Sequence, residues 1–135
     1  MGNQNSQNAR GRYMTNNFDA KVTQYINLCT ALHVQREKIS KRTVKKYNKT
    51  FDTLHEYAQV LSESQDAPRI FQTLLDAEDC SVKLYAAVHC LKYGLHISQA
   101  ESILTQISLG DDSFAEFDAE MALKVWRGEI PSKTL

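Results

Sequence analysis

The chain has 135 residues, 42% of them apolar and 24% charged, with two prolines, five glycines and three cysteines. Sixteen basic residues balance sixteen acids, giving a formal net charge of zero. This composition excludes wholesale disorder, collagen-like repetition and a disulfide scaffold, and no run reaches the ~18–20 apolar residues of a bilayer-spanning helix.

The first sixteen residues are polar, rich in Asn and Gln, and lack the apolar core of a signal peptide. Gly2 and Ser6 match the short N-myristoylation pattern, but a polar, disordered leader with Met14 as an internal start is the plainer reading. The expected layout is a leader over 1–16, one helical domain over 17–130 and a tail over 131–135. Apolar residues then recur at helical spacing. Phe18, Val22, Tyr25, Ile26, Cys29 and Leu32 predict a first helix over about 17–36. Ser40 is the expected N-cap of a second, over about 41–63, with a stripe of Val44, Tyr47, Phe51, Leu54, Ala58 and Leu61.

After a polar break, Pro68 suits the first turn of a short third helix, about 67–76, with Ile70, Phe71, Leu74 and Leu75 as its apolar side. Asp79 should cap a fourth helix, about 80–93, which Gly94 ends. Ala100, Ile103, Leu104 and Ile107 predict a fifth over about 97–108, closed by Gly110. Phe114, Phe117, Met121, Val125 and Trp126 predict a sixth over about 112–127, closed by Gly128. Short connections between helices predict an all-α stack of about six helices in antiparallel hairpins. The expected core includes Val44, Phe51, Leu54, Val82, Ala86, Ile103, Leu104, Met121 and Val125.

Cys29, Cys80 and Cys90 cannot all pair within one chain, and Cys80 and Cys90 on one helix would stand roughly 15 Å apart. Each has apolar neighbours in sequence, so all three read as reduced, small hydrophobes in a cytoplasmic protein.

Asp79-Cys80-Ser81-Val82-Lys83-Leu84-Tyr85-Ala86-Ala87, followed by Leu91, resembles the D-x-x-V-[RK]-x-x-A-A-x-x-x-L signature of HEAT and armadillo-like repeats. Such repeats are helix pairs that bury their apolar faces by stacking, and paired alanines permit close helix approach. A longer stretch, Val44 to Ile130, is similar to a small bacterial family of unknown function, the one numbered two thousand and nineteen. Tyr47 to Asp52 with Leu54, Asp79 to Ala87, and Asp118 to Leu123 followed by Gly128-Glu129-Ile130 carry that resemblance. Phe117 and Glu120 stand where the family has glycines, and its preceding Pro-Gln pair is missing. The resemblance implies an armadillo-like superhelix and no assigned reaction.

Catalytic and metal-binding patterns are weak. His55-Glu56 begins a zinc-helix pattern, but its second histidine would fall at Gln59. None of His33, His55, His89 and His96 has a Cys or His three or four residues beyond it, so each reads as a core or surface side chain, with no metal or other cofactor expected. Asp52 and His55, at i and i+3, read as a helix-face pair. With no nucleophile elbow, phosphate loop or dinucleotide fingerprint, the chain reads as non-catalytic.

Charge is segregated. Residues 1–50 carry ten Lys or Arg against two acids; residues 51–135 carry six against fourteen. The expected function is a protein-binding module, in its specific form an immunity protein that neutralises a cognate bacterial toxin. A basic toxin domain would then be steered by Asp111, Asp112, Glu116, Asp118 and Glu120. The alternative is a HEAT-like domain binding nucleic acid through Lys41, Arg42, Lys45, Lys46 and Lys49. A lesion-removing glycosylase of the same form would need aromatic and carboxylate side chains converging in a cleft. Oligomeric state is not written in the sequence.

Overall fold

The computed structural model describes the backbone over residues 2–111 and 113–131, and the side chains over 17–111 and 114–131. It is all-helical among the described residues: α1 (Gly2–Glu37), α2 (Val44–Ser62), α3 (Ala67–Leu75), α4 (Cys80–Tyr93), α5 (Ile97–Ser108) and α6 (Ser113–Trp126). Each helix packs on the next, as a stack of helical hairpins requires. No helix of the described residues is long and apolar enough to cross a membrane.

The helix ends follow local chemistry. Asp79 caps α4 by accepting from the Ser81 and Val82 amides at 2.9 and 3.2 Å. Gly94 adopts the left-handed conformation (φ 74°) that lets the Leu95 amide reach back to the Cys90 carbonyl at 2.8 Å. His96 also has positive φ, and its Nε2 donates to the Pro68 carbonyl at 2.7 Å, tying the start of α5 to α3. Two boundaries depart from expectation. The backbone is helical from Gly2, well before residue 17; the polar stretch contains no proline to interrupt it. α2 begins at Val44 with Thr43 as its N-cap residue, not at about 41 after Ser40. Thr43 Oγ1 accepts from the Ser40 amide at 2.8 Å and donates to the Lys38 carbonyl at 3.0 Å, holding 40–43 as a turn.

α4 is the centre of the molecule and packs against all five other helices. It buries Val82, Leu84, Tyr85, Ala86, Ala87, His89, Cys90 and Leu91, which spread around its circumference because no side of it faces only water. The other helices bury one stripe each: Tyr25, Cys29 and Leu32 on α1, Leu54, Ala58 and Leu61 on α2, Ala100 and Leu104 on α5.

Of the expected core, Leu54, Val82, Ala86 and Leu104 are buried, while Phe51, Ile103, Met121 and Val125 are half-buried and Val44 is exposed. The stripe of α2 leaves the core towards its N-terminus, because α2 packs most closely along α1 and only lightly on α4. α6 departs further. Its buried face is Ala115, Ala119, Ala122 and Leu123, and its aromatic residues Phe114, Phe117 and Trp126 are exposed. The alanines let α6 sit closely on α4 and α5, a contact that large side chains would hold apart. Cys29 and Cys90 are free and buried as expected, but Cys80, at the first position of α4, is exposed.

Candidate functional site

The residues displaced from the core line a groove. α2 supplies Tyr47, Phe51, Asp52 and His55; α6 supplies Phe117, Met121, Val125 and Trp126; α4 forms the floor between them. The groove has two lobes sharing Phe51, His55 and Val88, one of about 600 Å³ reaching Lys92 and Trp126, the other of about 240 Å³ reaching Arg36 and Phe117. Phe117 is 57% exposed and Trp126 41%. A helix that buries alanines and presents its aromatic residues outward inverts the usual amphipathic arrangement.

At the far end, Arg36 from the last turn of α1 makes a bidentate ion pair with Asp118 of α6, its Nη2 donating to Oδ1 at 3.2 Å. The guanidinium also lies 4.5 Å from the centre of the Phe114 ring.

Under the groove lies a polar chain joining three helices. The Tyr25 hydroxyl is 2.5 Å from His89 Nδ1, and His89 Nε2 is 2.7 Å from His55 Nδ1. His89 is fully buried, as is Tyr25, and Phe51 packs edge-on against His55 with ring centroids 4.2 Å apart. Burial holds the His89 imidazolium far out of favour, reinforced by His55 and the Lys92 charge. The His55 pKa is lowered by burial and then by Lys92, with Asp52 opposing. Burial drives the Tyr25 hydroxyl well above its ordinary range. All three are therefore neutral at pH 7.

Neutrality leaves two senses for the protons, and each strands one buried donor. If His55 donated to His89 and His89 to Tyr25, the buried Tyr25 hydrogen would have no acceptor among the described residues. In the opposite sense Tyr25 donates to His89 Nδ1, and His89 Nε2–H donates to His55 Nδ1. Each buried donor is then satisfied except one. In that sense the exception is His55 Nε2–H; the nitrogen is out of solvent contact and has no partner among the described residues.

The nearby thiols are not activated: burial pushes the Cys90 thiol up to about 12 and that of Cys29 further, so both stay protonated. Among the described residues no cluster of three or more His, Cys, Asp or Glu is placed to hold a metal ion.

The expected acidic surface is divided. Asp118 is committed to Arg36, Glu120 accepts from Lys124 at 3.2 Å, Glu116 is half-buried and Asp111 exposed, while Asp112 lies outside the described residues. The basic residues Lys41, Arg42, Lys45, Lys46 and Lys49 are all exposed, and none makes an ion pair among the described residues. Asp52 lines the larger lobe, but the His55 ring bonds to His89. The histidine chain was not readable from spacing, since its members stand 34 and 64 residues apart. Its one trace was His55, four residues after Phe51 on an apolar stripe. Comparison of the chain with protein-family models, curated proteins and solved structures found no match.

Proposed function

We propose that this chain is a non-catalytic protein-binding module that holds an apolar segment of a partner protein in the groove between α2 and α6. One observation carries the reading: α6 turns Phe117, Met121, Val125 and Trp126 away from the core and towards a groove whose other wall is Tyr47 and Phe51. Leaving aromatic side chains in water forgoes roughly 1.5–3 kcal/mol apiece, which a partner's apolar side chains would recover. An immunity protein occluding a toxin is the specific form this reading takes, with the groove as the contact and Asp111 and Glu116 as peripheral charge.

The test is selection of a random-peptide display library on the folded chain, alongside a Val125→Arg variant and a Phe117→Ser variant. Peptides with spaced aromatic or aliphatic anchors should enrich on the parent chain and be lost on both variants. Equal enrichment on all three would overturn the groove as the binding site.

The five exposed cations in the turn before α2 and along its first turns, which make no ion pair among the described residues, favour a second reading, binding of nucleic acid. Phe51, Trp126 and Asp52 in the larger lobe supply the aromatic and carboxylate groups that a glycosylase of this form would need. Duplex DNA affinity that falls steeply with salt, and disappears on charge reversal of Lys41, Arg42, Lys45 and Lys46, would establish it over the first. Against it stands a net charge of zero.

A further inference from the structure

We propose that the occupant of the groove is a second copy of this chain: two molecules clasp about a two-fold axis parallel to the groove, the α6 wall of each lying in the groove of the other. The inference rests on the protein-binding reading of the groove and names its partner.

The lining residues show that α2, α4 and α6 run in the same direction. The smaller lobe takes Tyr47, Leu84 and Phe117 from the earlier parts of these helices, and the larger takes Asp52, Lys92 and Trp126 from further along. The starts of α2 and α6 therefore lie at one end of the groove and their last turns at the other. The edge of α6 carries the apolar side chains that the groove would take, since Phe117 and Trp126 are exposed and Met121 and Val125 half-buried. Only one kind of two-fold axis can bring that edge into the groove of another copy. An axis across the groove sets each α6 over the other α6, whereas an axis parallel to the groove exchanges the α2 and α6 sides and lets each α6 enter between the walls.

Charge agrees with this axis. The charges lining the groove itself cancel, Lys92 against Asp52 and Arg36 against Asp118, so an occupant is neutral where it lies deepest. Outside the lining, the two walls are graded in opposite senses. α2 starts among the exposed Lys41, Arg42, Lys45, Lys46 and Lys49, which make no ion pair among the described residues, and ends at the exposed Glu56 and Glu63. α6 starts beside the exposed Asp111 with Glu116 in its first turn, and ends beside the exposed Arg127. Between them Glu120 and Lys124 neutralise each other. An axis parallel to the groove sets the start of α2 beside the start of the other copy's α6, and end beside end. Cations then meet acids at both ends of the groove, and do so twice by symmetry. A segment carrying one sign of charge would meet its like on one wall; a second copy does not.

Sedimentation velocity of the full chain over a concentration series tests the clasp. At about 100 μM the parent chain should sediment as two 15.4 kDa chains together, and shift towards monomer as salt is raised. Phe117→Ser and Val125→Arg should each be monomeric there while keeping the helical spectrum of the parent. Lys45→Glu with Lys49→Glu in one chain, and Asp111→Lys with Glu116→Lys in another, should each weaken dimerisation roughly tenfold. Mixed in equal amounts, these two reversed chains should pair with each other within about threefold of the parent affinity. In the mixture an acidic α2 faces a basic α6, and a basic α2 an acidic α6, so attraction returns at both contacts. A parent chain that stays monomeric, a dimer that survives both Phe117→Ser and Val125→Arg, or reversed chains that do not pair on mixing would each overturn the second copy as occupant. A monomeric parent chain that still enriches groove-dependent peptides in the display selection would leave the groove reading standing. Absence of both the dimer and such peptides would overturn the two together.

Discussion

One buried imidazole, His89, and one half-buried one, His55, make this molecule sensitive to pH in a definite direction. His55 and His89 have pKa values below the ordinary histidine value, so the unfolded chain binds protons that the native chain refuses. Their contribution to stability is complete above the unfolded value near 6.5 and is lost progressively as pH falls from there towards the native values. We expect urea midpoints to fall between pH 7 and 5 with a limiting slope of about 1.4 kcal/mol per pH unit for each imidazole that is neutral only when folded. His89→Gln should lower stability at pH 7 and flatten that slope; an unchanged slope would show that the native chain protonates like the unfolded one. Asp79 acts in another window. Its carboxylate is held below the ordinary range by the Ser81 hydroxyl and, against some burial, by the Val82 and Ser81 amides, so its contribution fades only as pH falls below about 4. Asp79→Ala should cost about 0.5–2 kcal/mol in thermal or urea unfolding, and Asp79→Asn much less, because Asn caps equally well.

Individual helices divide their apolar residues between holding the fold and facing the groove, and substitution should separate the two. Leu54 and Leu104 are fully buried, so truncation of either to Ala should cost on the order of 2–5 kcal/mol, read from the urea midpoint. Phe117 lies on a helix of the same apolar character, yet Phe117→Ser should change stability by no more than about 0.5 kcal/mol, since the ring is largely in water. The inverse experiment probes the alanine face of α6. Ala119 is fully buried, so Ala119→Leu should overpack and cost about 1–3 kcal/mol. A tolerated leucine there, or a severe loss at Phe117, would reverse the assignment of the two α6 faces. The sequence showed that α6 is an apolar helix; it could not show which face is buried. Both faces are apolar, and the choice depends on how closely α4 and α5 approach.

In the whole molecule, α4 is surrounded and should be the last element to open. Its amides are expected to exchange with solvent at rates set by global unfolding, while those of α6, which has an open side, exchange through smaller openings. Slower hydrogen exchange in α5 or α6 than in α4 would contradict the central placement. At the same scale the Arg36–Asp118 pair links α1 to α6, across 82 residues, and closes one end of the groove. Arg36 lies in the basic first part of the chain, residues 1–50, and Asp118 in the acidic remainder, so the two charge blocks meet at this point.

Periodicity and capping chemistry were enough to place the helices, because both act over a few residues. Asp79 and Gly94 bound α4 where the sequence puts them, and α5 spans Ile97–Ser108 as its spacing predicts. Exceptions arose where side chains formed local alternatives, as in the Ser40–Thr43 turn, or where a polar stretch continued a helix without a breaker. The groove and the histidine chain were decided by tertiary packing alone. Burial of His89, the contact of His55 with it, and the outward turn of Phe117 each depend on residues from different helices meeting in space. No spacing along one helix encodes such a meeting.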